Sequence, residues 1–353
     1  MAWVLDEIVQ AEVDRLKRLR AMVDGLPPAK VTLVGDVMLD RYVRGWANRL
    51  NATAPVPAVK VTETDESAGA AAHVARGLFS LGLDTKLFSI IGGDEAGQTL
   101  AALLQEEGLD TSGVRVIAGR QTVTKTRVYG ARESLIDRRQ LLIQIDEEPQ
   151  EDMPSDVSSR LTTAALSSLT DSKALVLSDY NKGAVTDEGA AELVAKAKSL
   201  DIPIICDPKL TGLNRTQGAT CVLFEVRGLE LTRRRLGHEE ALETAQHLIS
   251  TYEWDSLIVL GGVQGLWLYT ADAEHHIPCM LDNARQMIGL HDAAAVALTA
   301  ALSQGSSLHD AATLAHAACE TILGATEGRE VLDRRTLSAS LDERAWQMQV
   351  SDR

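Results

Sequence analysis

Short apolar runs rich in Val, Ile and Leu alternate along this chain with longer stretches whose apolar residues recur at helical spacing. The runs predict strands at 31–35, 86–91, 174–178, 203–206, 220–224, 256–260 and 265–269. Between them the spacing predicts helices at 68–81, 95–107, 155–169, 186–199 and 239–252. This alternation predicts an α/β domain with a parallel sheet and helices on both faces. The last third changes character, with predicted helices at 292–304, 308–324 and 333–348 and no strand between them. Two segments break the alternation. Residues 42–64 carry Pro-Val-Pro and then a short alternating strand, and residues 122–146 read as two strands around a polar, charged turn. Together they predict a small β-sheet standing off the main domain, suited to act as a lid over a crevice. Such a sheet leaves a face that needs cover, which points to a homodimer contact. The expected division is a helical extension at 1–28, the α/β domain at 29–332 and a C-terminal helix at 333–353.

The predicted strand ends carry the chemistry. In an α/β protein, polar groups at the carboxyl ends of parallel strands face the ligand crevice. The stretch VTLVGDVMLDRY at 31–42 puts Gly35 and Asp36 at such an end, with Asp40 four residues on. A glycine there lets a ligand approach the backbone, and acids beside it bind hydroxyls, so the segment points to a small polyol. A strand ending in a solvated turn has the same pattern. Ser178-Asp179-Tyr180-Asn181-Lys182-Gly183 and Asp207-Pro208-Lys209 repeat the theme, each joining acid to lysine and each, taken singly, equally a polar loop. At Ile288-Gly289-Leu290-His291-Asp292, Asp292 opens an Ala-rich helix. The first N–H groups of a helix lack internal partners and carry the positive end of its dipole, so they can hold a phosphoryl group. An acid at that spot can accept a proton from an attacking hydroxyl. Asp is also a favoured N-cap, and the position fits a plain cap as well. Small residues at 68–72 open another helix, with His73 facing either a ligand or the core.

Composition narrows the field. The 353 residues hold 50 acidic against 35 basic side chains, for a net charge of −15 and a pI near 5.0. That length buries a substantial core. No basic stripe marks a nucleic-acid surface; Arg233-Arg234-Arg235 sits beside acids and reads as a solvated helix face. The four cysteines form no C-x-x-C pair, and Cys206 and Cys221 lie in apolar runs as core thiols. His275-His276 and His316-x-x-Cys319 lack companion ligands, so no metal site is expected. The amino terminus reads as a charged amphipathic helix rather than a signal peptide, and no apolar run is long enough for membrane insertion. A cytoplasmic protein is expected. The P-loop, the G-x-G-x-x-G fingerprint after the first strand, the G-x-S-x-G elbow and H-E-x-x-H are all missing. Alternation alone therefore does not make a nicotinamide oxidoreductase.

GDVMLDRY at 35–42, APVPAVKV at 54–61, TKTRV at 124–128, SDYNKG at 178–183 and DPK at 207–209 resemble the PfkB (ribokinase-like) sugar kinases over nearly the whole chain. The likeness is greatest to the heptose-7-phosphate kinases of lipopolysaccharide-core synthesis. The resemblance implies a three-layer ribokinase-like domain, a mainly parallel sheet, and a β-lid that often dimerises. It implies transfer of the ATP γ-phosphoryl group to a hydroxyl of a sugar phosphate, with Mg²⁺ as the companion ion and no tightly bound metal. By the same resemblance Asp292 is the catalytic base. Asp36 binds sugar hydroxyls from the floor of the site, with Asp40, Gly69, His73 and Asp179 on the substrate side, and Lys125 and Arg127 meet the substrate's phosphate from the lid. Lys182, Lys209, Glu225, Gly265, Gly289 and His291 fall on the nucleotide and phosphate side.

The chain also departs from the family pattern. The family's G-A-G-D reads Gly289-Leu290-His291-Asp292, so His291 stands in for a glycine. If that position needs left-handed dihedrals, the change costs roughly 1–2 kcal/mol. Gln286 and Ile288 replace the usual Asp and Thr, the two-glycine sugar motif becomes Ala68-Gly69 with His73, and the N-x-x-E signature becomes Glu225-Val226-Arg227-Gly228, with Glu230 nearby. These losses give the alternative expectation of a pseudokinase that binds a sugar phosphate or a partner protein. No adenylyltransferase domain follows residue 330, so a fused second activity is not expected.

Overall fold

The computed structural model describes residues 2–132, 139–151, 153–325 and 332–351. Helix α1 (Ala2–Asp24) leads into β1 (Lys30–Gly35). With only Asp36 between, the chain runs on into β2 (Val37–Leu50) and returns along β3 (Pro57–Ala70) to α2 (Ala71–Ser80). Next come β4 (Asp84–Gly92), α3 (Glu95–Glu106), β5 (Val114–Ile117), β6 (Thr124–Ala131) and β7 (Gln140–Glu147). Then follow α4 (Ser155–Leu169), β8 (Ala174–Asp179), α5 (Asp187–Ser199) and β9 (Ile204–Pro208). The third stretch holds β10 (Cys221–Glu225), α6 (Val226–Leu236), α7 (Ala241–Tyr252), β11 (Ser256–Leu260), β12 (Leu266–Tyr269) and β13 (Glu274–Ile277). Three helices close the chain: α8 (Leu290–Leu302), α9 (Leu308–Gly324) and α10 (Arg334–Ser351).

The main sheet has the order β13-β12-β11-β10-β9-β8-β1-β4-β5. Its pairs from β5 to β11 are parallel, and β12 and β13 add an antiparallel edge. Strands covered on both faces bury every side chain, which is why β8 and β11 read as unbroken apolar runs. One face carries α1, α2, α3 and α8–α10, with Leu16, Leu78, Leu100, Ala297, Leu314 and Leu337 in its core. The other carries α4–α7, with Leu161, Leu193, Leu229 and Leu248. These are the three layers. Among the described residues no helix is long and apolar enough to cross a membrane.

Helix α8 is buried from Asp292 to Leu302, which explains its nearly uniform apolar sequence. Gly77 lets α2 come close to it: a Cβ there would lie 2.6 Å from Val296 Cγ2. The helix bearing Asp292 is therefore fixed by packing on all sides.

The second sheet, β3-β2-β6-β7, is the lid. It is longer than its sequence pattern predicts. The apolar run at 31–35 does not stop in a turn but continues through Asp36 into β2, and β3 continues to Ala70, so α2 starts at Ala71 rather than 68. Asp40 is thus a lid-strand residue. The charged turn expected between β6 and β7 falls at 133–138, outside the described residues. Helix α6 escapes the periodicity because it is largely charged and buries only Leu229. The four-residue strands β5 and β13 are too short to stand out. Helix α1 sends Val13, Leu16, Leu19 and Val23 into the main core.

Candidate active site

Parallel strands bring their carboxyl ends to one edge, and there β8, β9 and β10 deliver Asp179-Tyr180, Asp207-Pro208-Lys209 and Glu225. The amino end of α8 faces them across a cavity of about 300 Å³ lined by Tyr180, Asp207, Lys209, Glu225, Arg227, Gly289, His291 and Asp292, among others. Gly289 caps α8 with φ 85°, a left-handed conformation that glycine adopts freely. A Cβ there would also sit 2.8 Å from His73 Cε1. His291 lies in the first turn of regular helix, and among the described residues positive φ outside glycine is confined to Ala70, Asn181, Asp201 and Glu253. The left-handed penalty expected for His291 therefore does not arise.

Asp292 pairs with His73: Nδ1 lies 2.9 Å from Oδ2. The second carboxylate oxygen, Oδ1, is buried without a protein partner. A buried acceptor left open in this way is costly unless a ligand fills it. His291 Nδ1 lies 2.9 Å from Asp207 Oδ1, and its Nε2 stands 3.8 Å from Glu225, beyond hydrogen-bond reach. Burial alone lowers the His291 pKa, but Asp207, then Glu225 and Asp292, outweigh it and lift it above 6.5. These acids bias the ring toward its charged form where the family has a bare backbone.

The Tyr180 ring lies under the Lys209 ammonium at 4.3 Å and under Lys125 of the lid at 5.9 Å. Burial, then Asp292, Asp207, Asp40 and Asp36, hold its phenol well above the ordinary value. On the lid, Asp40 and Lys125 are neighbours in register, as are Tyr42 and Arg127. Arg127 Nη1 donates to Asp40 Oδ1 at 2.7 Å, and its guanidinium stands 5.5 Å from the Tyr42 ring. Burial, then Asp40, push Tyr42 up to about 12. The Asp40 carboxylate sits against Gly69, where a Cβ would come within 2.2 Å of Oδ2 and force it to move. Asp40, Gly69, Lys125 and Arg127 thus form one cluster, joined to the α8 site through Tyr180.

Four expected site residues do other work. Asp36 stands outside the cavity lining, and its carboxylate accepts the backbone N–H groups of Tyr180, Lys182 and Ala184, all at 2.9 Å. Burial pushes that carboxyl up to about 6 against the pull of these amides. It latches the β1–β2 crossing to the loop after β8 and does not line the cavity with Asp292. Asp179 turns to Arg215, 2.9 Å away, and ties β8 to the short 3₁₀ segment after β9. Lys182 pairs with Glu148 at 2.6 Å, at the foot of the lid. Gly265, with φ 98°, makes the turn into β12, where a Cβ would strike the Ile277 carbonyl at 2.2 Å. Glu230 is held by Arg233 and Arg234 and lines a separate cavity on the other side of α6. The residues missed are Tyr180, Asp207 and Arg227. Asp207 is visible in the sequence as a strand-end acid, Tyr180 lies within SDYNKG, and Arg227 lies within Glu225-Val226-Arg227-Gly228, where its residue type gives no sign of a role.

The layered sheet with its second, smaller β-sheet defines a ribokinase-like fold. The same fold recurs in ribokinase from Thermotoga maritima (TM-score 0.67, 16% identity, covering 89% of this chain and 99% of that one). It recurs also in phosphofructokinase-2 from Escherichia coli in complex with fructose-6-phosphate (TM-score 0.67, 17% identity, 90% and 100%). The chain belongs to the pfkB family carbohydrate kinases, whose description it matches over residues 28–334. Curated relatives named bifunctional protein HldE include those of Methylobacillus flagellatus, 33% identical over 303 residues (85% of this chain, 61% of that one), and Haemophilus influenzae, 33% identical over 298 residues (84% and 60%). The chain thus spans about three-fifths of the length of these relatives.

Proposed function

We propose that this chain transfers a phosphoryl group from ATP to a hydroxyl of a phosphorylated sugar, a heptose 7-phosphate phosphorylated at its 1-position being the best match. The observation that carries the reading is the open, buried Oδ1 of Asp292 at the mouth of the α8 amides. Facing the acceptor hydroxyl, it takes the proton as the oxygen attacks; His73, donating from Nδ1 to Oδ2, keeps the carboxylate turned inward. The charge spread over the transferring group is met by the first N–H groups of α8 and by His291, Lys209 and Arg227 around the cavity. On the lid, Lys125 and the remaining N–H groups of Arg127 suit the phosphate the sugar already carries. Asp40, whose carboxylate is seated against Gly69, receives sugar hydroxyls.

ATP supplies the γ-phosphoryl group, and Mg²⁺ neutralises charge on the phosphates when bound. The donor set fits: Mg²⁺ uses one or two carboxylates together with phosphates and water, and Glu225 and Asp207 line the cavity. Leu210, Leu231 and Met287 on the same rim suit the face of a base. One observation favours the pseudokinase alternative: Glu230 is committed to Arg233 and Arg234, which leaves Glu225 as the acid at the start of α6. A phosphotransfer assay across sugar phosphates, with Mg-ATP calorimetry beside it, decides. Turnover with nucleotide binding supports the kinase; a rise in melting temperature with sugar phosphate but none with Mg-ATP supports the pseudokinase.

We further propose that the lid pairs with a second copy of this chain. Strand β7 is exposed along its whole length and carries Leu141, Leu142, Ile143 and Ile145. An apolar edge strand of this kind calls for cover.

A further inference from the structure

A second polar cluster lies behind the loop that leads to α8. His316 and Glu320 stand one turn apart on α9, and Cys279 lies two residues after β13. Their ligating atoms all lie within 4.8 Å of one another. The short-range motif His316-x-x-Cys319 misleads here, because Cys319 turns its sulfur toward the Leu290 carbonyl, 3.7 Å away, while the thiol that meets His316 comes from Cys279, 37 residues earlier. We propose that Cys279, His316 and Glu320 form a binding site for a thiophilic divalent cation of the zinc class, distinct from the Mg²⁺ of phosphoryl transfer.

Three observations support it. His316 is 1% exposed, and its Nδ1 has no hydrogen-bond partner. A buried ring nitrogen without a partner is uncommon and is what a ligand would satisfy. The spacing is close to that of a coordination shell: His316 Nδ1 lies 3.8 Å from Glu320 Oε2, against about 3.3 Å for two ligand atoms each roughly 2.0 Å from one tetrahedral zinc. Glu320 is already oriented by Arg344, at 3.1 Å from both oxygens, and by the Met280 amide at 2.6 Å, the kind of outer support that fixes a metal-binding carboxylate. The Cys-His-Glu donor set selects against Mg²⁺, which takes oxygen ligands. On binding, the Cys279 thiol loses its proton to solvent, and a water completes the fourth position.

The site has a structural consequence. The segment from Cys279 to Gly289 is pinned to the end of α9 by Arg285 N–H to Leu323 O and Gln286 Nε2 to Ile322 O. A cation would fasten the other end of the same segment to α9 and so hold the approach to the α8 amides. The test is a titration of the chelator-treated full chain with Co²⁺. The expected result is an intense near-ultraviolet thiolate-to-cobalt band at one equivalent, removed by Zn²⁺ and lost in Cys279→Ser. His316→Ala is expected to weaken the band and decides the matter if Cys279→Ser does not fold. No band in the wild type, or one that persists unchanged in whichever variant folds, overturns the proposal.

Discussion

His291 shows how one residue can replace a lost feature with a different one. The family's glycine offers only backbone; here an imidazole next to Asp207 and Glu225 is biased toward its charged form. Its folded pKa is raised above the unfolded value of 6.5. The stabilising contribution of the pair is therefore fully present below pH 6.5 and is lost as pH rises through the higher folded value. Melting temperatures measured across this window are expected to fall more steeply with pH in the wild type than in Asp207→Asn, where His291 loses its main partner. Equal slopes would show that the pair is not the source. The sequence showed the His for Gly exchange but not its partner, because Asp207 lies 84 positions away and only the packing of α8 against β9 brings the two together.

At the scale of elements, the decisive one is the crossing from β1 to β2. Its sequence signature, Gly-Asp after an apolar run, was legible. Its meaning was not, because a buried acid that accepts backbone amides and an acid that binds hydroxyls look alike in one dimension. Three amides from the loop after β8 converge on Asp36, so that residue couples the main sheet to the base of the lid. Asp36→Ala strands these donors and is expected to destabilise the ligand-free protein by about 2–4 kcal/mol, read by chemical denaturation. An unchanged denaturation midpoint would return Asp36 to the role of a pure ligand. The predicted strands and helices of the main domain were legible for a simple reason: parallel strands buried on both faces and helices packed on one face leave strong, distinct periods. The extent of the lid was obscured because β2 and β3 alternate only partly, with mixed burial along both.

For the whole molecule, the lid raises the question of assembly. If its apolar edge meets a second copy, the double change Ile143→Glu and Ile145→Glu is expected to convert dimer to monomer in sedimentation or light scattering, while the melting temperature of the main domain stays close to wild type. A wild type that is monomeric at the concentration of the assay contradicts the dimer. The same lid, with Asp40, Lys125 and Arg127, faces the helix that carries Asp292, and the account depends on chemistry across that space. Its most direct test is phosphotransfer from Mg-ATP to heptose 7-phosphate by wild type and Asp292→Asn, with sugar-phosphate binding measured on both. The account predicts turnover in the wild type and a loss of about 10²–10⁴-fold in the variant, with binding of the sugar phosphate retained. Full turnover in Asp292→Asn, or no turnover by the wild type on any sugar phosphate, would contradict it.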